Sequence, residues 1–415
     1  MNNNISPHFY VLATFSVVAA TLLLFEKYGF REEYFYIPIF ALAIIYGIIN
    51  FIRQQQGLSE FTIATKIHIP TLFKKAIARF VVWFIFIYLA YLFFDFVPYY
   101  SSSTYRPNQL FLDYFLNIYL IVGLPYFLLT GIFKASRVED YYDPAIRVIH
   151  MLKQVLIRAL RGDDTKSIFR VFRKKYNRKV LLNLVMRTYF IPVMVVQLYS
   201  NITLSMLYTS TEFSTHQFLI ILYWLAAVLW IADILNASLS YCIESRWVEN
   251  RTRSIDMTLG GWTVCLFCYA PLNMATGYIF PFAPNVVTDN PTQLVYDNLT
   301  FLYTIKIIEL VVLVAHIYTD ISLGPSVANI TLKKLQTKGF YGIIRHPGTT
   351  FKLLFWLIQS CFYKSFWSIK YLFGYSMWFT IYILRALTEE RHLNQHEEYQ
   401  EYKKKVKYRF IPKIF

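Results

Sequence analysis

The sequence predicts an all-α, polytopic membrane protein with about ten transmembrane helices and amphipathic helices at the interface. Three observations carry that prediction. The 415 residues are 56% hydrophobic and 19% aromatic, with 16% charged residues and a mean hydropathy of +0.39. One soluble core of this size has no room for so much apolar surface, so a bilayer is the natural solvent. The apolar residues fall in runs of membrane-crossing length, and the basic residues gather between the runs. That clustering also decides how the net charge of +16 is read. Lys and Arg between apolar runs suit anionic lipid headgroups and orientation signals, and no nucleic-acid partner is expected.

Taken in order, the first run covers 9–25 and lacks a small-residue cleavage site, so it is expected to stay as a membrane helix. A second lies at 34–52. Between Arg53 and Ala78 the pattern is mixed, with Lys66, Pro70, Lys74 and Lys75, and is expected along the surface. Runs three and four fall at 79–97 and 112–133. The section 134–180 alternates cations (Lys153, Arg158, Arg161, Lys166, Arg170, Arg173) with Leu152, Leu156, Leu160, Ile168 and Phe172. Apolar residues at three- and four-residue steps predict amphipathic helices in the headgroup zone, facing anionic lipids. Further runs lie at 181–199, 217–241, 258–281 and 300–319, then at 349–366 and 367–386 as a hairpin. With that tally Lys66–Arg79, the 134–180 section, Arg246–Arg253, Lys333–Arg345 and Lys403–Arg409 share one side, while 200–216 and 282–299 contain no Lys or Arg. The bias places both termini in the cytoplasm. Lys27, Arg31, Lys364 and Lys370 fall on the other side, which calls for snorkelling or a shallow hairpin. Cys265 and Cys268 spell CxxC inside an apolar run without a second pair, as buried thiols rather than a metal site. No repeat or linker marks a soluble domain. Residues 1–338 are expected to form a multi-span scaffold, and 339–415 a cofactor-binding hairpin and tail of the same membrane domain.

The chemistry-bearing residues concentrate at that end. Gly339-Phe340-Tyr341-Gly342-Ile343-Ile344-Arg345-His346-Pro347 precedes the hairpin. Glu389-Glu390, Glu398-Tyr399, Tyr402 and Arg409-Phe410-Ile411-Pro412 follow it. A hairpin that crosses and returns brings the two clusters to one face of the membrane. This set resembles the carboxyl-terminal core of the integral-membrane methyltransferase superfamily, which includes isoprenylcysteine carboxyl methyltransferases and phospholipid N-methyltransferases. The resemblance is confined to residues 339–412. It implies S-adenosylmethionine as cofactor and a lipid or prenyl-like acceptor. By it, Tyr341, Arg345, His346, Pro347 and Glu390 carry over as cofactor contacts, with Gly339 and Tyr399 in the same block. Arg345, Glu389 and Arg409 carry over as catalytic candidates near the transferred methyl. The chemistry is consistent: an arginine forks onto a carboxylate, Glu389 and Glu390 balance an ammonium and a sulfonium, and glycines permit close backbone approach. The chain departs from the family in having Thr349, Thr350 and Lys352 where an aromatic residue and a glycine are usual.

Two other readings use the same residues. Sterol and steroid reductases, which bind NADPH, share Gly-aromatic-aromatic-Gly before RHP and a tail ending in Tyr-Arg-x-x-Pro. A non-catalytic lipid-binding member is the other. Residue by residue, Arg345 also reads as a positive-inside anchor that lysine replaces without harm to folding, and the tail as a solvated helix of i,i+4 pairs. Arg187, Glu309 and His316 are polar groups within apolar runs, candidates to line an acceptor chamber, to pair with each other or to lie near the interface.

Overall fold

The computed structural model describes residues 6–55, 61–63, 68–135, 144–210, 217–245, 248–281, 299–361 and 363–414. The chain is all-α: 79% helical, with 14 α-helices among the described residues and almost no strand. Helix α1 (Pro7–Tyr28) starts on Pro7, whose fixed φ suits a first turn, and stops before Gly29 at φ +80°. Then come α2 (Ile37–Gln55), α3 (Ile69–Phe96) and α4 (Arg106–Gly131), each with a proline in or near its first turn. A short antiparallel pair, β1 (Phe61–Ile63) with β2 (Phe133–Ala135), joins the loop before α3 to the end of α4. Next are α5 (Pro144–Leu160), α6 (Thr165–Arg173), α7 (Lys175–Thr209) and α8 (Gln217–Cys242). The order closes with α9 (Leu259–Leu266), α10 (Leu272–Ile279), α11 (Leu299–Ile321), α12 (Pro347–Cys361), α13 (Ile369–Leu393) and α14 (Glu397–Lys405).

Seven helices among the described residues are long and apolar enough to cross a membrane: α1 to α4, α7, α8 and α11. The multi-pass expectation therefore stands at seven spans, and the count of ten does not. Three expected runs account for the difference. The 258–281 run is two eight-residue helices, α9 and α10, with Pro271 opening the second. At 1.5 Å per residue each is about 12 Å long, far short of a ~30 Å hydrocarbon core. Helix α12 has 15 residues, about 22 Å. Helix α13 has 25, but carries Lys370, Arg385, Glu389 and Glu390. Helix α3 begins at Ile69, so the part of the expected surface stretch from 69 to 78 is helical instead. Lys66, Arg246 and the segments 211–216 and 282–298 lie outside the described residues.

The chain divides into two compact units. The first comprises Phe30–Tyr199 and Ala237–Met257. Here α3 and α4 pack along their lengths through aromatic contacts. The Phe80 and Tyr119 rings stack at 5.2 Å, and the Tyr119 hydroxyl donates to the Phe80 carbonyl at 2.7 Å. Helices α5 and α6 form as the sequence predicts, with Asp164 capping α6 by accepting from the Ser167 amide at 3.0 Å. Their apolar faces bury Ala145, Val148, Met151 and Val171 against Val82 and Val180, while Leu152, Leu156, Leu160 and Phe169 stay exposed.

The second unit comprises Asn4–Gly29, Ser200–Asn236 and Thr258–Phe415, and contains both halves of the carboxyl-terminal motif. Helix α1 packs on α11, and α11 on α12. Helix α13 packs on α9 and α12. The buried Asn236 amide donates to Thr14 at 2.9 Å, fastening α8 to α1. After α11 the chain turns at Gly324, whose φ of +56° a side chain rarely adopts, and the Tyr10 ring lies 2.6 Å from where a Cβ would sit. Gly324→Ala should therefore lower stability by about 1–3 kcal/mol through overpacking and backbone strain. Thermal melting in detergent measures it, and an unchanged melting point would show that Tyr10 has room to move.

Candidate functional site

Two polar constellations occupy the second unit. The first joins the beginning of α12 to the tail. Pro347 is buried as the first residue of α12, so Arg345 and His346 stand just ahead of that helix. Their amides donate to the carbonyls of Tyr408 and Arg409, at 3.0 and 2.9 Å. The Arg345 side chain follows the same direction: Nε donates to Glu390 Oε1 at 2.6 Å, and Nη1 donates to the carbonyls of Val406 and Lys407, at 2.9 and 2.7 Å. His346 Nε2 lies 3.1 Å from the same Glu390 oxygen, with its ring stacked on Phe410. Arg409 Nε donates to the other oxygen at 3.1 Å. Glu390 is thus a buried carboxylate shared by three cationic or ring N–H groups. Burial raises its carboxyl pKa, but the bonds from His346 and Arg345 outweigh that and bring it down to about 2.

The rest of the tail closes over this centre. Tyr402 donates from its hydroxyl to the Tyr341 carbonyl at 2.6 Å. Tyr399, Tyr402, Val406 and Leu393 pack with Leu332. The Tyr399 hydroxyl is buried without a hydrogen-bond partner among the described residues. Helix α14 has Glu397 and Glu398 in its first turn and Lys403–Lys405 in its last, the arrangement a helix dipole favours. Gly339 takes φ +65°, and the Tyr318 ring lies 3.4 Å from where its Cβ would be.

The proposed residues therefore gather, with different situations. Arg345, His346, Pro347, Glu390 and Tyr399 are buried. Arg409 reaches Glu390 from the surface, with 32% of its side chain exposed. Glu389, one position from Glu390, is exposed. Tyr341 is half-buried, and burial followed by Asp320 and Glu389 pushes its phenol well above the usual range. None of the Arg345 bonds uses Nη2. A guanidinium bonded in this way is more than a charged anchor.

The second constellation was not legible as a set. Asp233 on α8, His316 and Asp320 on α11, Lys352 on α12 and Arg385 on α13 interact with one another, and Asp320 and Arg385 also act on Tyr341. Lys352 interacts electrostatically with Arg385, Asp320 and Asp233, and His316 with Asp320 and Lys352. His316 Nε2 is 3.8 Å from Asp320 Oδ2, and Trp230 lies edge-on to the imidazole at 5.8 Å. The Lys352 ammonium sits over the Trp356 and Tyr382 rings, at 5.5 and 5.7 Å. Arg385 lies over Tyr269 and Tyr382, at 5.5 and 5.6 Å, and bonds Asn329. Gly348 makes room here: a Cβ on it would stand 2.8 Å from Asp320 Oδ1.

Of the three polar groups singled out within apolar runs, His316 belongs to this constellation. Arg187, in the first unit, is buried with Glu244 and the Tyr241 carbonyl, and Glu309 pairs with Lys306 at 2.7 Å. Cys265 and Cys268 are buried free thiols, and Cys268 donates to the Val264 carbonyl.

Comparison with protein-family models, curated proteins and solved structures finds no match to this chain.

Two predictions follow from the geometry around Glu390. Its folded pKa of about 2 lies below the ordinary 4.5, so the charged form stabilises the closed tail above pH 4.5. That stabilisation is lost progressively as pH falls from 4.5 towards 2. Hydrogen exchange at the Arg345 and His346 amides, corrected for intrinsic rates, should accelerate in that window; flat protection across it would separate the tail from Glu390. Arg345→Lys should also loosen the tail, because one ammonium cannot replace bonds spread over Glu390 and two carbonyls. With charged hydrogen bonds contributing about 1.5–3 kcal/mol each, the melting point should fall even if a lysine suffices as a membrane anchor.

Proposed function

We propose that this chain is a membrane-embedded, S-adenosylmethionine-dependent methyltransferase acting on a lipid or lipidated acceptor. The observation that carries the reading is the meeting of Arg345, His346 and Arg409 on Glu390, in the same apolar helical unit as a set of interacting charged side chains. Two stretches separated by the α12–α13 pair fold into one centre. An anchoring role alone would not require Arg345 to be buried and bonded to the tail.

The residues present suit the cofactor. Its α-carboxylate, α-ammonium and sulfonium call for charges of both signs, which the chamber provides. Exposed Glu389, beside Tyr341, is a carboxylate available to a positive centre. Gly339 and Gly348 leave space where side chains would press on Tyr318 and Asp320. When bound, the cofactor supplies an electrophilic methyl group, and no further activation of the donor is needed. The work left to this chain is to align donor and acceptor, about 3 Å apart, and to keep water out. Glu390 fixes Arg345 and His346, and through them the tail, while Glu389 places negative charge near the Tyr341 segment. The aromatic surroundings, from Phe340 and Phe351 to Trp356 and Tyr382, exclude water and admit an apolar chain.

Calorimetry on detergent-purified protein with S-adenosylhomocysteine and with NADPH tests the reading. Saturable binding of S-adenosylhomocysteine and none of NADPH is expected. Tight NADPH binding with no response to S-adenosylhomocysteine would replace this reading with a reductase.

A further inference from the structure

We propose that the chamber bounded by Asp233, His316, Asp320, Lys352 and Arg385 binds a zwitterion, with an ammonium against the carboxylates and an anionic group against the two cations. The observation behind it is a set of charges among the described residues that make no ion pair with one another, where other buried charges of the chain are paired. Arg187 bonds Glu244, Lys306 bonds Glu309, and Arg345 bonds Glu390. In the chamber, no hydrogen bond or ion pair from a described residue reaches the Asp233 carboxylate or the Lys352 ammonium. Asp320 has only the imidazole at 3.8 Å, too long for a hydrogen bond. His316 is 2% exposed, yet neither of its ring nitrogens has a hydrogen-bond partner among the described residues. Charges and buried ring nitrogens in apolar surroundings are costly unless something completes them.

The arrangement says what completes them. Lys352 and Arg385 rest on aromatic faces, which hold the cations without neutralising them. The carboxylates come from α8 and α11, while the cations come from α12 and α13. Direct closure of Lys352 onto Asp320 would have made an ordinary buried pair; the two interact but stay unbonded. The absence of a side chain at Gly348 preserves the space beside Asp320. A simple anion would leave Asp233 and Asp320 uncompensated, and a simple cation would leave Lys352 so. A ligand carrying both charges satisfies both sides.

That chemistry has two sources in a membrane. One is the amino-acid end of S-adenosylmethionine, a choice that rests on the function proposed above. It would give the donor's carboxylate to Lys352 and Arg385, leaving Arg345 to the tail. The other is a phosphate-and-ammonium lipid headgroup, which does not depend on that function.

The experiment is calorimetry of wild type, K352M and D320N in detergent. The probes are S-adenosylhomocysteine, lysophosphatidylethanolamine and, as an anionic control, lysophosphatidylglycerol. The expected result is that one of the two zwitterions binds wild type, and that each variant binds it at least tenfold more weakly. Both variants should keep or raise the melting point, because each removes a charge without a partner; E390Q, which breaks a bonded centre, should lower it. Loss of binding to S-adenosylhomocysteine identifies the donor end, and loss to lysophosphatidylethanolamine identifies the headgroup. Binding of S-adenosylhomocysteine at wild-type strength by both variants, with no headgroup binding, would overturn the zwitterion site and leave the methyltransferase reading standing. Headgroup binding that depends on Lys352 and Asp320, with no S-adenosylhomocysteine binding, would do the reverse. Binding of lysophosphatidylglycerol alone, or of no probe, would overturn the proposal.

Discussion

The carboxylate of Glu390 is the constraint around which the carboxyl-terminal core is arranged. It is buried, and an ionised carboxylate in such a place is tolerable only when its lone pairs are taken up. Arg345, His346 and Arg409 take them up from two stretches of chain that a helical pair separates. Once Arg345 points at Glu390, its Nη1 lies where the carbonyls of Val406 and Lys407 can receive it, and the extended segment after α14 is held in place. Backbone bonds from Arg345 and His346 to Tyr408 and Arg409 extend the same junction. The apolar packing of Tyr399, Tyr402 and Val406 then covers a junction whose direction is already set.

Elsewhere the unit treats charge differently. The Glu390 centre is closed, with donors and acceptors matched, so its contribution is to specify how the tail lies. The second set is unmatched: Lys352 and Arg385 lie against rings, no ion pair joins them to Asp233 or Asp320, and the His316 nitrogens have no hydrogen-bond partner among the described residues. A closed network beside an open one in the same apolar surroundings assigns them different work. In the proposed reading the first builds the scaffold, and the second meets the ligand.

Much of this was legible in the sequence, for identifiable reasons. Arg345-His346-Pro347, Glu389-Glu390 and Arg409 are polar residues adjoining apolar runs, and their clustering is visible without knowing the fold. Helix periodicity located α5 and α6, because the alternation of cations with Leu152, Leu156 and Leu160 is local. The chamber was hidden because Asp233, Asp320, Lys352 and Arg385 are single charges on four helices, and one sequence does not tell which helices meet. The span count failed for a related reason. Hydropathy alone does not separate a crossing helix from a broken or short one, although Pro271 was a sign that the 258–281 run is divided. Pro125 and Pro192, which lie inside α4 and α7 without ending them, show why that sign does not decide by itself.

The bonds from Arg345 and His346 to Tyr408 and Arg409 also have a meaning for biosynthesis. A nascent chain lays down its apolar helices and Arg345 well before the residues that complete them leave the ribosome. Until Tyr408–Phe410 emerge, the Arg345 guanidinium lacks its backbone acceptors and the His346 ring lacks the face of Phe410. A product that ends between Pro347 and Val406 therefore carries an Arg345 guanidinium and a His346 ring without the tail that completes them.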